Sequence, residues 1–411
     1  TARAAALVVS QSESVQRTVL HDGEVAQEPA AVLTRIAPSF LRFGSFQTCN
    51  PMDKDSKRQG PSAGMGRELL PQLLDFTIQE HFPVVWARHN GDALVAAAAE
   101  GAGIAAKQDM YVEFYREVVL RTAGLAAAWN SVGFAHGNLN TDKMSILGVT
   151  LDPGQSGFVE LWDPEHVSNA HDIGGRYAFR CQSEVCRWNC EKLGEALKAE
   201  QVLPSQCLQE LEKFWGEYER CYGAIMRLKL GLLVLDEAAD EQLAHDLLAV
   251  MEHTGADYTN TFRWLSSVPM PAAQDTAIGD TSAAAAQGAR DGGFLRRVLG
   301  SLPGPQRLAE CIAPQMSLED INMLLMTART DARILKGFGT NNARLQAQLE
   351  RVKRAQALSR MSAEAKQAED TQRWQGWLHR YTARLQREAQ GGASPQQRTQ
   401  TMDSVNPCFI L

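Results

Sequence analysis

The segment from Phe134 to Phe158 reads FAHGNLNTDKMSILGVTLDPGQSGF and places a carboxylate on each side of a short apolar run. Asp142 lies in a polar cluster, and Asp152 begins a Pro-Gly turn ten positions later. The run between them, Ile146 to Leu151, is aliphatic and β-branched, which predicts a short buried strand. Two loops that flank one strand can direct both acids towards one cleft. One acid could then accept a proton from a hydroxyl while the other holds a divalent cation, as in phosphoryl transfer.

Spacing alone leaves a structural interpretation open, in which Asp142 caps a turn and Asp152-Pro153-Gly154 is ordinary turn chemistry. The sequence motifs around the two acids favour the chemical interpretation. The chain resembles the selenoprotein O family in the stretches HGNLNTDKMSILG, WDPEHVSNAHDIGGRYAFRCQ and CRWN, in TRIAPSFLRFG near its start, and in Trp374-x-x-Trp377-Leu378 near its end. Members of that family are protein-kinase-like proteins that transfer AMP to protein hydroxyls. The resemblance covers nearly the whole chain.

The resemblance implies a role for each candidate residue. Asp142 matches the family's proton acceptor, and Asp152 matches its magnesium-holding acid. Arg35 and Arg42 match arginines that contact the phosphates of the nucleotide, and guanidinium groups suit phosphate oxygens because they bind them bidentately. Without the resemblance, these two arginines would be interpreted as surface residues.

One position departs from the family pattern. The family places an asparagine directly after the first aspartate as the second metal ligand, whereas this chain has Lys143. An ammonium group has only donors and cannot bind Mg²⁺, which argues against two-metal binding. It can instead lie against a phosphate and replace part of the missing positive charge. Asn140 is the nearest side-chain carbonyl that could compensate.

The resemblance therefore implies a protein adenylyltransferase that moves AMP from ATP to Ser, Thr or Tyr hydroxyls of client proteins. ATP and Mg²⁺, or Mn²⁺ in its place, are the expected cofactors. A kinase that transfers the γ-phosphoryl group needs the same base, metal and cationic clamp, so the acids do not separate these two reactions. A catalytically inactive, pseudokinase interaction module is a further alternative. Lys143 favours it, whereas the presence of both acids and both arginines argues against it.

The family's glycine-rich nucleotide loop, its phosphate-binding lysine and the glutamate that pairs with that lysine have no counterpart before Arg35. We therefore expect the chain to be a fragment without the N-terminal part and the extreme C-terminus. Positioning and charge stabilisation supply most of the catalysis of phosphoryl transfer. The longer parent protein is thus the expected enzyme, and the 411-residue piece is expected to be weak or inactive by itself.

Composition excludes several other classes. The 411 residues, 44% of them hydrophobic, can form one large or two ordinary domains. A net charge of −7 argues against a nucleic-acid binder, and no apolar run reaches the roughly 18 residues of a membrane span. Eight scattered cysteines favour a reducing compartment. We expect an intracellular monomer, which the resemblance places in mitochondria for a eukaryote and in the cytoplasm for a bacterium.

The expected fold class is α+β and predominantly α. Strands are predicted at 4–9 and 30–36, joined by a polar loop with Asp22-Gly23 at its turn, and a long helix is predicted over 108–129. The resemblance implies a protein-kinase-like fold with an incomplete N-lobe, a helical C-lobe and a helical C-terminal extension. The predicted domains are an N-lobe remnant with the hinge (1–45), a C-lobe (46–271) with the catalytic loop 134–158, a low-complexity linker (272–293) and a helical C-terminal region (294–411).

Two groups of residues are predicted to belong to the core rather than to a ligand site. Cys181, Cys186 and Cys190 lack the CxxC spacing and the partner ligands of a zinc site, so buried thiols are expected. An aromatic stripe at helical spacing is also expected in the core and consists of Trp374, Trp377, Tyr381 and Leu385.

Overall fold

The computed structural model describes residues 2–18, 25–52, 57–90, 104–198, 202–271, 293–314, 316–330, 335 and 340–406. Most of these residues are helical and few lie in strands, which confirms the α+β, predominantly α class. The linker predicted at 272–293 lies outside the described residues except for Gly293. The turn predicted at Asp22-Gly23 also lies outside them.

The first elements form an antiparallel ribbon of two strands. Strand β1 (Arg3–Thr18) pairs with strand β2 (Val25–Ile36), and Arg3 lies opposite Ile36. Both strands are longer than the predicted 4–9 and 30–36. Pairing continues through polar residues because the backbone ladder needs no apolar side chains; Ser14 Oγ even donates across the ribbon to Gln27 Oε1 at 2.8 Å.

Helices make up most of the remaining described chain, and the helix predicted at 108–129 is confirmed by α4 (Ile104–Ser131). None of the described helices combines the length and apolar character needed to cross a bilayer. The short strands β3 (Phe134–Ala135) and β4 (Gly157–Phe158) pair with each other at the two ends of the predicted catalytic loop. The α-helices are α1 (Phe43–Gln47), α2 (Gly66–His81), α3 (Pro83–His89), α4 (Ile104–Ser131), α5 (Gln182–Lys198), α6 (Lys213–Leu230), α7 (Ala239–Thr254), α8 (Tyr258–Leu265), α9 (Phe294–Ser301), α10 (Pro305–Cys311), α11 (Leu318–Thr330), α12 (Asn342–Ser359), α13 (Ala363–Gln390) and α14 (Pro395–Val405).

One compact unit comprises Thr1–Ala127, His136–Ser156 and Cys181–Glu219. Its core surrounds α4, where the ring of Phe114 contacts Phe46 of α1 and Phe82 at centroid distances of 6.2 and 4.9 Å. The hydroxyl of Tyr115 donates to the Cys190 carbonyl of α5 at 3.0 Å. These contacts join α1, α4 and α5 into one packed base within this unit.

The predicted buried thiols belong to this unit and are confirmed. Cys181 lies in a short 3₁₀ turn just before α5, whereas Cys186 and Cys190 lie on α5, and all three are buried. Burial raises the pKa of the Cys190 thiol to about 12. Such thiols pack as small hydrophobic groups, since they remain protonated.

The second compact unit comprises Ala128–Ala135, Gly157–Arg180 and Arg220–Leu411. The aromatic stripe of α13 lies in its core, as predicted, because Trp374, Trp377, Tyr381 and Leu385 are all 0% exposed. The indole of Trp377 stacks on Tyr381 at 4.9 Å and donates from Nε1 to the Leu243 carbonyl at 3.0 Å. Helix α13 is thereby packed against α7.

A buried carboxylate organises the connection between α6 and α7. Glu388 of α13 is 0% exposed and accepts three consecutive backbone N–H groups at 2.9–3.0 Å, those of Leu233, Val234 and Leu235. Its Oε1 also pairs with Arg384 at 2.8 Å. Because the connecting segment is not helical, its N–H groups need acceptors from elsewhere, and Glu388 provides them.

Replacing this carboxylate should destabilise the protein strongly. We expect Glu388→Ala to lower the free energy of unfolding by about 3–5 kcal/mol, because the N–H groups and Arg384 lose a buried anionic partner. Arg387→Ala on the same helix is the matched control. It removes only an exposed pair with Glu237 and should cost about 0–1 kcal/mol. Urea unfolding of both variants measures the difference, and equal costs would contradict the assignment.

Candidate active site

The apolar run between the two candidate acids is a tight turn, so the prediction of a buried strand over 146–151 is wrong. Met144 and Thr150 form an isolated antiparallel bridge, and Gly148 between them has φ +65°. This left-handed backbone reverses the chain, and glycine adopts it without steric cost. Ile146 and Leu151 are buried within the turn, which explains why the sequence pattern looked like that of a strand.

The turn places the segments that lead to the two acids side by side. Asp142 lies two residues before Met144, and Asp152 lies two residues after Thr150. Bridge partners of this kind have Cα atoms about 5 Å apart, whereas a six-residue strand would separate its ends by roughly 20 Å. The chain therefore doubles back between the two acids, and their convergence on one cleft stays a prediction.

The residues before and within α1 run alongside this turn. The N–H of Phe43 donates to the Met144 carbonyl at 3.0 Å, and Arg42 forms an antiparallel bridge with Ser145. These backbone bonds join segments about 100 positions apart in the sequence. They place the side chain of Arg42 beside the loop that bears both acids.

Asp142 lies against the backbone of α1 and is exposed. A Cβ atom at Gly44 would be 1.9 Å from Asp142 Oδ1, so the carboxylate occupies the space that any other side chain would need. Two hydrogen bonds hold the loop here: Asp142 N–H donates to Asn140 Oδ1 at 3.0 Å, and Thr141 Oγ1 donates to Gln47 Oε1 at 2.6 Å. Sequence reasoning missed Gly44 and Gln47, although Gly44 ends the stretch TRIAPSFLRFG.

Two cations hold Asp152. Arg42 Nη2 donates to Asp152 Oδ2 at 2.7 Å, and Lys143 Nζ donates to the same oxygen at 3.4 Å. Partial burial acts to raise the pKa of Asp152, but the hydrogen bond and charge of Arg42, followed by the charge of Lys143, outweigh it and lower the pKa. The carboxylate is therefore ionised at neutral pH.

These ion pairs are suited to exchange. The side chains of Arg42, Lys143 and Asp152 are 32%, 29% and 33% exposed, and pairs with this much solvent contact are worth only about 0–1 kcal/mol. A ligand that offers better partners can replace them at little cost. Asp152 also has φ +48°, a backbone region that aspartate tolerates better than most residues and that is frequent at functional sites.

Arg35 lies outside this cluster. It is half-buried on β2 opposite Ala4, and among the described residues it forms no ion pair with either acid. The ribbon is nevertheless joined to the loop at its open end, where the N–H of Ala2 donates to the Thr150 carbonyl at 3.0 Å. The structure thus brings Arg42, Lys143 and Asp152 into contact and leaves Arg35 on the adjoining strand.

The donor set fits an Mg²⁺ ion that binds together with a nucleotide. Magnesium is usually bound by one or two carboxylates, with phosphate oxygens and waters completing its octahedron. Asp152 supplies an ionised carboxylate, and Asp142 lies on the other side of the same turn. Within the described ranges, no three His, Cys, Asp or Glu side chains cluster as a metal site. The residues therefore fit a phosphate-dependent magnesium site rather than a cage of protein ligands alone.

A methyl group at Gly44 should separate catalysis from folding. We expect Gly44→Ala to leave the free energy of unfolding within about 1 kcal/mol of wild type, because alanine favours the helix. It should lower the AMP transfer expected from the sequence about 100-fold, because the methyl group displaces the carboxylate of Asp142. Gly216→Ala is the control, since a Cβ there meets no atom within 4 Å. Similar activities for both variants would contradict the packing of Asp142 on Gly44.

Comparison with known proteins relates the whole chain to one family. Residues 1–411 match the family model described as protein adenylyltransferase SelO. The chain is 38% identical over 417 residues to the mitochondrial protein adenylyltransferase SelO of Homo sapiens, a match that covers 100% of this chain and 57% of the human protein. It is 36% identical over 415 residues to the mitochondrial SelO-1 of Danio rerio, covering 100% of this chain and 56% of that protein.

A bacterial relative matches a shorter part. The protein nucleotidyltransferase YdiU of Enterobacter sp. (strain 638) is 35% identical over 266 residues, covering 64% of this chain and 47% of the relative. The chain spans about half the length of the curated relatives it matches. Because the family model extends over every residue, including both acids and the segments that hold them, the chain belongs to the protein adenylyltransferase SelO family.

Proposed function

We propose that this chain forms the catalytic part of a protein adenylyltransferase that moves AMP from ATP to Ser, Thr or Tyr hydroxyls of client proteins. The observation that carries the proposal is the contact of Arg42 and Lys143 with ionised Asp152, across one turn from exposed Asp142. The relatives' names support transfer of a nucleotidyl group rather than of a γ-phosphoryl group.

In the proposed reaction, the client hydroxyl oxygen attacks the α-phosphorus of ATP. A bond forms between that oxygen and phosphorus, and the bond from the α-phosphorus to the bridging oxygen of pyrophosphate breaks. Pyrophosphate leaves with the electron pair, and Asp142 accepts the hydroxyl proton as general base. The exposed position of Asp142 supports this role, because a protein substrate must reach it from solvent.

Arg42 would exchange partners when the nucleotide binds. Its pairing with Asp152 is partly exposed and weak, whereas a phosphate group offers bidentate contacts to a guanidinium. We expect Arg42 to turn towards the phosphates and leave Asp152 Oδ2 free. Arg35 on the adjoining strand would provide a second guanidinium for the same phosphates.

Asp152 would hold Mg²⁺, or Mn²⁺, in the nucleotide complex. The bound ion would supply positive charge to offset the negative charge that develops during transfer. Lys143 would contribute a fixed positive charge next to Asp152, and with only donor hydrogens it cannot serve as a metal ligand. We therefore propose that one divalent ion is sufficient, with the Lys143 ammonium in place of a second.

Further features that the sequence led us to expect are also proposed. We propose a protein-kinase-like fold in which α4 leads into the catalytic loop 134–158, with domain limits at 45, 271 and 293. ATP and client proteins are the expected partners of a monomeric enzyme. The relatives from Homo sapiens and Danio rerio are named mitochondrial, which favours mitochondria for a eukaryotic source.

A second candidate function is a catalytically inactive interaction module. The contact that favours it is the 3.4 Å distance between Lys143 Nζ and Asp152 Oδ2, since a resident ammonium competes with a metal ion for that oxygen. Exposed Asp142 argues for catalysis instead, because it directly precedes Lys143, which contacts Asp152, and an accessible carboxylate there can serve as a general base.

Labelled ATP distinguishes the adenylyltransferase from a kinase and from the inactive module. With the protein that contains this chain and a mixture of client proteins, we expect label from α-³²P-ATP, but not from γ-³²P-ATP, to appear on protein. Asp142→Asn preserves size but removes the base, so incorporation should fall about 10²–10⁴-fold. Incorporation of the γ label would indicate a kinase. No incorporation of either label, together with ATP binding, would indicate the inactive module.

Counting metal ions tests the role of Lys143. Mn²⁺ titration followed by electron paramagnetic resonance, with a non-hydrolysable ATP analogue present, should give one bound ion per chain. Lys143→Asn offers a carbonyl ligand and removes the ammonium, so we expect two bound ions. Lys143→Arg retains the charge and should still bind one ion. Two ions in the wild-type protein would contradict the proposal.

A further inference from the structure

Helix α5 buries two amide side chains on the face that meets the loop. Gln182 Oε1 accepts the backbone N–H of His136 at 2.8 Å, and Asn189 Nδ2 donates to the Leu139 carbonyl at 2.8 Å. Both side chains are 0% exposed. Seven residues make about two helical turns, so both amides lie on one side of α5. They belong to the stretches RCQ and CRWN, in which sequence reasoning considered only the cysteines.

Stability alone does not account for Asn189. Its Nδ2 also donates to the Val185 carbonyl at 2.9 Å, whereas its Oδ1 has no hydrogen-bond partner among the described residues. A buried acceptor without a partner lowers the stability of a fold, and an apolar side chain would avoid that cost. An apolar residue at this position could not donate a hydrogen bond to the Leu139 carbonyl of the loop, as Asn189 does. This points to a role in the loop rather than in the helix.

A third contact extends from the same place to the second acid. His136 is 1% exposed, and its Nε2 lies 3.0 Å from the carbonyl of Leu151, the residue before Asp152. Burial lowers the pKa of His136, so the neutral ring donates from Nε2 to this carbonyl. Gln182 thus fixes the residue whose ring reaches the neighbour of Asp152.

We propose that Gln182 and Asn189 are positioning residues, which hold the catalytic-loop backbone at residues 136 and 139 so that Asp142 and Asp152 keep their mutual placement. This inference rests on the proposed function for its effect on activity. The backbone bonds themselves are independent of that function. Two fixed points, three residues apart, restrict both the position and the direction of the segment that leads to Asp142.

The test compares three variants of the protein that contains this chain. Gln182→Met keeps the length of the side chain and removes the acceptor. Gln182→Glu keeps an oxygen acceptor in either protonation state. Val185→Ala, also buried on α5, loosens the same face of the helix but removes no hydrogen bond to the loop, because the valine side chain has no polar atom. Thermal unfolding gives the folded fraction of each variant, so that activity is expressed per folded molecule.

We expect kcat for AMP transfer to fall about 100-fold in Gln182→Met, because a displacement of about 1 Å at the reacting groups has an effect of that size. The KM for ATP should stay within about threefold, since Arg42, the proposed phosphate contact, is held by Met144 and Ser145 and not by the residues that Gln182 contacts. Gln182→Glu should recover most of the lost kcat. Val185→Ala should keep the wild-type kcat per folded molecule. An equal loss of kcat in Val185→Ala and Gln182→Met would overturn the inference.

Hydrogen–deuterium exchange provides a readout that needs no activity. The peptide covering 134–145 should exchange faster in Gln182→Met than in wild type, whereas Val185→Ala should leave that peptide unchanged. Unchanged exchange in Gln182→Met would overturn the inference even in an active enzyme. If the wild-type protein transfers no AMP, the proposed function fails, and the exchange experiment still decides whether the amides hold the loop.

Discussion

The bridge between Met144 and Thr150 is the contact on which the candidate site depends. It closes a turn whose two ends continue to Asp142 and Asp152, so the chain doubles back between the two acids. The same turn offers the Met144 carbonyl to Phe43 and the Thr150 carbonyl to Ala2. Through these bonds, the start of α1 and the open end of the ribbon are joined to one short loop.

Buried and exposed charged side chains contribute differently to the stability of this protein. Glu388 is fully buried and satisfies three backbone N–H groups, an arrangement that is costly to disturb and therefore suits a scaffold. The pair of Arg42 and Asp152 is one-third exposed and contributes little to stability. Weak pairs suit the proposed nucleotide site, because the ligand would have to replace them. Gln182, the proposed support behind that site, is buried and neutral, so ligand charge would disturb it little.

Several elements were predictable because their signals are local. The long helix α4 and the aromatic stripe of α13 follow from apolar spacing, and both are confirmed. The strand predicted over 146–151 was wrong, since aliphatic residues suit a buried turn as well as a buried strand, and Gly148 decided between them by its positive φ. Gly44 had no local signal, because its importance lies in the carboxylate of Asp142 that occupies the adjacent space.

The sequence by itself determined the family and the helical class, and it supplied the candidate residues for proton transfer, cation binding and phosphate contact. Only the tertiary structure decided which of them meet. Arg42 and Asp152 are 110 positions apart, and Gln182 and His136 are 46 apart, so no local pattern relates the partners. Such contacts depend on how α1 and α5 pack around the loop. Arg35 was indistinguishable from Arg42 in the sequence, and it lies on the neighbouring strand because backbone pairing with β1 takes it there.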